Sequence, residues 1–258
     1  MDTPQQRHRR YQQQAGWTAA LQRHIAAALG LHTAQTILEV GSGTGAAGQS
    51  LSNLLQTPGR NPPRFFGVDL RLDDLTFSRT ATPGHRPVCA DGLALPFPDG
   101  VFDAGFCHFL LMWLADPLQA LREMRRVTRP GGAVIALAEP DYGGRVDYPE
   151  TLRPLGTLQS AALRAQGANP KIGRALPALF HHAGLEQIHS GVLGGEWAHS
   201  SGQTEDSIEW DILAHDLAGR LPSPELTRLR RLDRQAWQRG ERVLYIPTFY
   251  CWGLVPAP

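Results

Sequence analysis

Glu39-Val40-Gly41-Ser42-Gly43-Thr44-Gly45 is the densest chemical signal in the chain. It follows a short apolar run, Thr36–Val40, and precedes a helical pattern reaching Leu55, so it reads as strand, glycine turn and helix. Glycines let a ligand approach the backbone closely, and a helix N-terminus offers unpaired N–H groups. Such turns hold nucleotide-like ligands at the carboxyl ends of strands. Gly43-Thr44-Gly45-Ala46-Ala47-Gly48 also matches, formally, the dinucleotide pattern of spaced glycines. The register favours another reading. The strand runs into Gly41, which puts Glu39 two residues before the first glycine. A carboxylate there repels a pyrophosphate and suits a ligand with an ammonium group and no phosphate. Asp69 and Asp91 each end a later apolar run. His108 closes another, and Glu139-Pro140-Asp141-Tyr142 directly follows the next. His108, Glu139, Asp141 and Tyr142 are therefore the candidate bases for a substrate arriving at the strand ends.

These residues need a scaffold, and the hydrophobic pattern supplies one. Strands are expected at Thr36–Val40, Phe65–Leu70, Pro87–Ala90, Val101–His108 and Ala133–Ala138. Helices alternate with them: Gly45–Leu55, Asp73–Thr80, and a segment starting at the cap Asp116-Pro117 with Leu118, Leu121, Met124 and Val127 every third residue. Pro130-Gly131-Gly132 breaks that last helix. The alternation predicts a parallel sheet covered on both faces. Before it, residues 5–29 carry one helical stripe, Trp17, Leu21, Ile25 and Leu29, ended by Gly30. After it come a polar loop, Asp141–Pro149, helical patterns around Leu152–Ala161 and Leu176–Phe180, and a strand at Leu185–Leu193. Two helices, Glu205–Leu217 and Pro224–Trp237, and a final strand, Val243–Trp252, complete the pattern.

A chain of 258 residues gives one domain, with or without insertions. Its 42% hydrophobic and 19% charged residues are globular composition and exclude a disordered chain. The net charge of +1 gives no electrostatic reason for a nucleic acid or an anionic membrane as partner. Lys171 is the only lysine, a sign of coding bias rather than function. Cys89, Cys107 and Cys251 are sparse and odd in number, which argues against a disulfide framework or structural zinc. His181-His182 lacks metal-ligand spacing, so no metal is expected. The longest purely apolar run, Phe109–Ala115, is too short to cross a bilayer. Residues 1–14 are polar and arginine-rich without the apolar core of a secretory signal, a composition that a transit peptide shares. The expected compartment is the cytoplasm.

Ile37-Leu38-Glu39-Val40-Gly41-Ser42-Gly43-Thr44-Gly45 resembles the first motif of class I S-adenosylmethionine-dependent methyltransferases. Phe66-Gly67-Val68-Asp69 is similar to the end of their second strand. Cys89 to Asp103, with Asp91-Gly92 and Pro96-Phe97-Pro98-Asp99-Gly100, is similar to their third and fourth motifs. Arg129-Pro130-Gly131-Gly132 resembles the turn before their fifth strand. Four motifs in order cover Thr36 to Pro140, and the nearest group is the ubiquinone/menaquinone-biosynthesis type acting on small molecules. The resemblance implies a Rossmann-like, mostly parallel sheet ending in an antiparallel hairpin, and S-adenosylmethionine as cofactor. Carried onto this sequence, Gly41, Ser42, Gly43 and Gly45 would line the methionine part, with Glu39 at its base. Asp69 would accept from both ribose hydroxyls, with Leu70 beside it. Asp91 would accept from the adenine amino group, next to Gly92. Cys107 and His108 would sit near the sulfonium, and Trp17 joins the cofactor set.

The organisation expected is an N-terminal helical cap, residues 1–30, on a methyltransferase domain, residues 31–258, with a helical insertion over about 196–242. The cap and the insertion would enclose a small-molecule acceptor between aromatic walls: Tyr11, Trp17, Tyr142 and Trp197. His108, Asp141 and Tyr142 are the catalytic candidates. Two rival readings stay open here: a nicotinamide-dependent oxidoreductase, for which Glu39 is awkward, and a non-catalytic S-adenosylmethionine-binding protein. The sequence does not name the acceptor, the atom methylated or the oligomeric state.

Overall fold

Apolar runs bounded by turn residues become the strands of one sheet. The computed structural model describes residues 3–56, 58–194, 208–217 and 221–257. In chain order the elements are α1 (Pro4–Trp17), α2 (Ala19–Ala28), β1 (Thr36–Val40), α3 (Ala46–Leu54), β2 (Arg64–Asp69), α4 (Leu72–Ala81), β3 (His85–Cys89), β4 (Phe102–Cys107), α5 (Pro117–Val127), β5 (Thr128–Pro140), β6 (Val146–Tyr148), α6 (Arg153–Ala165), α7 (Leu176–His182), β7 (Glu186–Val192), α8 (Ile208–Leu217), α9 (Ser223–Gln238), β8 (Val243–Tyr245) and β9 (Thr248–Leu254). Seven strands form one sheet in the order β3-β2-β1-β4-β5-β9-β7. The pairs from β3 to β5 are parallel, and β9 runs antiparallel to both β5 and β7. This is the Rossmann-like class I sheet with its antiparallel hairpin.

The central strands are covered on both faces, as their unbroken apolar composition requires. Along β1, Leu38 and Val40 enter one core with Leu121, Met124 and Phe180, while Ile37 enters the other with Leu21, Ile25 and Leu51. Helix α5 starts as its sequence dictates: the Asp116 carboxylate accepts the Gln119 N–H at 2.9 Å, with Pro117 opening the first turn. A third cluster lies off the sheet, where Leu155 of α6 packs with Trp210 and Leu213 of α8 and Leu229 of α9.

Four local expectations change. The stripe over residues 5–29 is two helices, because buried Thr18 ends the first: its N–H and hydroxyl both turn back to the Ala15 carbonyl. Strand β5 begins at Thr128 rather than Ala133. Pro130-Gly131-Gly132 forms an irregular start, with Gly131 at φ +73° and no room for a Cβ at Gly132, which would lie 2.6 Å from the Asp103 carbonyl. The final strand is two, because Ile246-Pro247 interrupts it. The Pro247 carbonyl instead accepts the Asp141 N–H. Freed from the main sheet, β8 pairs with β6, so the polar stretch Asp141–Pro149 contains a strand. Of the expected insertion, residues 196–207 and 218–220, including Trp197, lie outside the described residues.

Candidate cofactor and acceptor site

The glycine turn is shaped by what surrounds it. Gly41, Gly43 and Gly45 all have positive φ, between +48° and +78°, where a side chain strains the backbone. The N–H groups of Gly41 and Ser42 donate to the Val68 carbonyl at 2.8 and 3.0 Å, which docks the turn against the end of β2. Asp69, the last residue of β2, accepts the Gly43 N–H at 2.7 Å and the Arg71 N–H at 2.8 Å. Burial pushes the Asp69 carboxyl upward, opposed by those two bonds. Helix α1 roofs the turn. Tyr11 lies against Gly43, where a Cβ would be 2.9 Å from its ring, and His8 Nδ1 meets the Thr44 hydroxyl at 2.9 Å. Buried Arg7 ties the same helix to Asp74 of α4, its Nε donating at 2.9 Å.

Glu39 is fully enclosed and accepts the Gly48 N–H at 3.1 Å. A Cβ on Gly48 would lie 2.5 Å from that carboxylate. The third glycine of the formal dinucleotide pattern thus makes room for Glu39 rather than for a pyrophosphate. Burial holds the Glu39 carboxyl well above its usual range.

A cavity of about 740 Å³ opens over the ends of β1, β2, β4 and β5. Glu39, Gly41, Ser42, Gly43 and Asp69 line one side, together with Tyr11 and Trp17. His108, Pro140 and Tyr142 lead from there to a second wall from α6, α8, α9 and β8, which carries Leu155, Gln159, Trp210, Asp216 and Arg242. The structure therefore brings Trp17, Glu39, the glycine turn, Asp69, His108 and Tyr142 to one cavity. Gly45, Leu70, Asp91, Gly92 and Cys107 do not form its wall. Gly45 faces His85, and Leu70 is exposed. Asp91 is exposed and caps its own turn by accepting the Leu93 N–H. Cys107 is sealed in the core, where burial raises its thiol.

The candidate bases separate clearly. His108 is half-buried, with Nε2 3.3 Å from the Thr18 hydroxyl, and burial pushes its pKa down to about 3. It is neutral near pH 7 and a weak proton acceptor there. Asp141, a catalytic candidate from its position, is already engaged in the structure. Its carboxylate is buried, pairs with Arg174 and accepts the Gly143 N–H, so it scaffolds the loop after β5. Glu139 is also fully buried, and it accepts the N–H groups of Leu110, Leu111 and Met112 at 2.8–3.2 Å. Burial still lifts it to about 7. Its work is to hold the 109–112 loop, which brings Phe109 and Leu110 to the cavity. Phe109 takes a positive φ of 52°, backbone strain of the kind that clusters at functional sites. Tyr142 lies on the cavity wall.

The second wall was not legible as a site in the sequence. Arg145, Asp147, Gln159, Asp233 and Arg242 form a buried polar network there. Arg145 and Arg242 both bond Asp147, and Arg242 also bonds Asp233. Partners such as Asp147 and Arg242, 95 positions apart, share no local spacing.

Among the described residues, no group of three metal-ligating side chains is present. The residues fit the cofactor. A glycine cradle, a strand-end carboxylate at Asp69 and a buried acid beneath the turn would suit a ribose, an amino acid portion and a positive sulfonium. Among the described residues the buried Ser42 hydroxyl has no hydrogen-bond partner, and it lies beside Gly67 of β2.

Residues 38–136 match the model of a methyltransferase domain family. A malonyl-[acyl-carrier protein] O-methyltransferase of Halorhodospira halophila is 37% identical over 243 residues, covering 86% of this chain and 75% of that protein. An uncharacterised methyltransferase of Schizosaccharomyces pombe is 34% identical over 152 residues, but the chain spans only 54% of its length and the match covers 56% of this chain. A solved phosphoethanolamine N-methyltransferase 2 of Haemonchus contortus, bound to S-adenosylhomocysteine, superposes with a TM-score of 0.54 at 14% identity. That match covers 87% of this chain and 50% of that one. The chain belongs to the class I S-adenosylmethionine-dependent methyltransferase family. Its cofactor is accordingly S-adenosylmethionine.

Proposed function

We propose that this chain transfers a methyl group from S-adenosylmethionine to a small molecule held in the same cavity. One observation carries the reading: the glycine turn and Asp69 share a continuous cavity of about 740 Å³ with a wall built by α6, α8 and α9. That volume is in the upper part of the range for small-molecule sites. In the proposed roles, Asp69 receives the ribose hydroxyls while its bonds to Gly43 and Arg71 keep it in place. Gly41, Ser42 and Gly43 face the methionine portion, Glu39 braces the turn from below, and the adenine extends past the cavity lining toward Asp91 and Gly92. The cofactor supplies an already activated methyl group, so the protein's task is alignment for in-line displacement. Trp17, Trp113 and Tyr142, all lining the cavity, give the acceptor space aromatic walls, and neutral His108 offers a hydrogen bond near the transfer point. Tyr142 brings one of the hydroxyls on the wall, beside Tyr11, Ser42 and Thr248. The small-molecule acceptor also fits the balanced charge of the chain, which offers no track for a nucleic acid.

Asp69→Ala tests the cofactor half. It removes two charge-assisted hydrogen bonds, so S-adenosylmethionine affinity, read by calorimetry, falls at least about tenfold. Binding of NAD, with no heat from S-adenosylmethionine, overturns the reading. Radiolabelled cofactor incubated with small-molecule, protein and tRNA pools tests the acceptor half. The Halorhodospira halophila relative is named for a carrier-bound acyl group, so label found mainly on a carrier protein or another macromolecule refutes the small-molecule acceptor.

A further inference from the structure

We infer that the acceptor carries a cationic nitrogen, a protonated amine in the simplest case, and that Asp216 of α8 binds it. This rests on the reading that the cavity holds the acceptor. Five charged side chains meet, buried, at the wall made by β6, α6, α8 and α9. Arg145 grips Asp147 with two bonds, at 2.6 and 3.0 Å. Arg242 donates to Asp147 at 2.8 Å and to Asp233 at 2.6 Å, and the second Asp233 oxygen takes the Trp210 indole N–H at 2.7 Å. Two guanidinium groups are thereby matched with two carboxylates.

Asp216 is the acid left over. It is 8% exposed and lines the cavity. Among the described residues its one hydrogen bond comes from the neutral Gln159 amide, at 2.9 Å, and no arginine, lysine or histidine pairs with it. The Gln159 carbonyl is occupied by Arg145, which turns the amide NH₂ toward Asp216 and fixes its role as donor. Among the described residues the wall therefore carries one net negative charge, held in place and facing the cavity. Burying a carboxylate without a cation is costly. A ligand cation removes that cost, and a ligand carboxylate or phosphate adds to it because both arginine forks are already engaged. Leu155, Leu163, Leu213 and Leu244 share the same cavity, so the body of the ligand is apolar.

The test uses the full chain with S-adenosylhomocysteine bound, and measures that binding first. Failure at this step strikes the methyltransferase reading and not the amine site. The saturated protein is then titrated with tryptamine, phenethylamine and cyclohexylamine, each beside a neutral and a carboxylate counterpart of the same ring. The expected result is that at least one amine binds at least tenfold tighter than both counterparts. Asp216→Asn should abolish that preference, leave S-adenosylhomocysteine affinity unchanged and melt no lower than the parent, since it removes an unpaired charge while keeping the Gln159 bond. Three results would each overturn the inference: no amine preference at any ring size, a preference that survives Asp216→Asn, or a variant that melts several degrees lower.

Discussion

The two walls of the cavity are built on opposite principles. The cofactor wall is held by backbone groups: Gly43 and Arg71 N–H on Asp69, Gly48 N–H on Glu39, and three consecutive N–H groups on Glu139. The wall proposed for the acceptor is held mainly by side chains, through Arg145, Asp147, Gln159, Asp233 and Arg242, with Arg242 also donating to the Tyr148 and Val243 carbonyls. A wall made of backbone is tolerant of sequence except at glycine and acid positions, and it recognises a constant ligand. A wall made of paired side chains is fixed by each identity, and it can be rewritten to suit a different ligand.

The contrast breaks most visibly at Asp147. Asp147→Ala leaves Arg145 and Arg242 buried without their common carboxylate, so chemical denaturation should show a loss of about 3–5 kcal/mol. If the loss is under 1 kcal/mol, the acceptor wall is not held by its ion pairs. The cofactor wall has its own charge test in Glu139. Its pKa of about 7 in the folded chain lies above the ordinary carboxylate value, so the folded state keeps a proton that the unfolded chain has released. Stability should therefore decline as pH rises from about 4.5 to 7 and level off above, by an amount of order 3 kcal/mol for this group. Denaturation midpoints across that range, with Glu139→Gln lacking this part of the slope, check it. Smaller again is Gly48→Ala, whose Cβ presses on the Glu39 carboxylate. A cost of about 1–3 kcal/mol is expected, with weaker cofactor binding in calorimetry. Smallest is Thr18→Val, which deletes the hydroxyl that contacts Ala15, Gln22 and His108, for about 1 kcal/mol in thermal melts.

The same division governs what the sequence showed. The β1 bounds, the Asp116-Pro117 cap and the acids at strand ends are local signals, because each rests on turn chemistry or on a run of neighbours. Glu39 was legible as an acid beneath the turn, and Gly48 was legible as a glycine, yet their contact was not. It depends on the first turn of α3 passing over β1. Asp141 reads as a candidate base because it follows β5 directly, and Arg174, which pairs with its carboxylate, lies 33 positions away. The break at Ile246-Pro247 was hidden because β8 and β9 are both rich in apolar and aromatic residues. Only a partner elsewhere, β6, shows that one run serves two sheets. Trp197, the fourth aromatic wall expected, falls outside the described residues.

The strand order carries a consequence for synthesis on the ribosome. Strand β7 has one neighbour in the sheet, β9, and β9 also covers the open side of β5. A nascent chain that has released β7 can complete β1 to β5, but it has nowhere to place β7 until residues 248–254 emerge. Through that interval the newborn protein shows an uncovered strand edge to its surroundings, the condition under which growing chains mispair and call on chaperones.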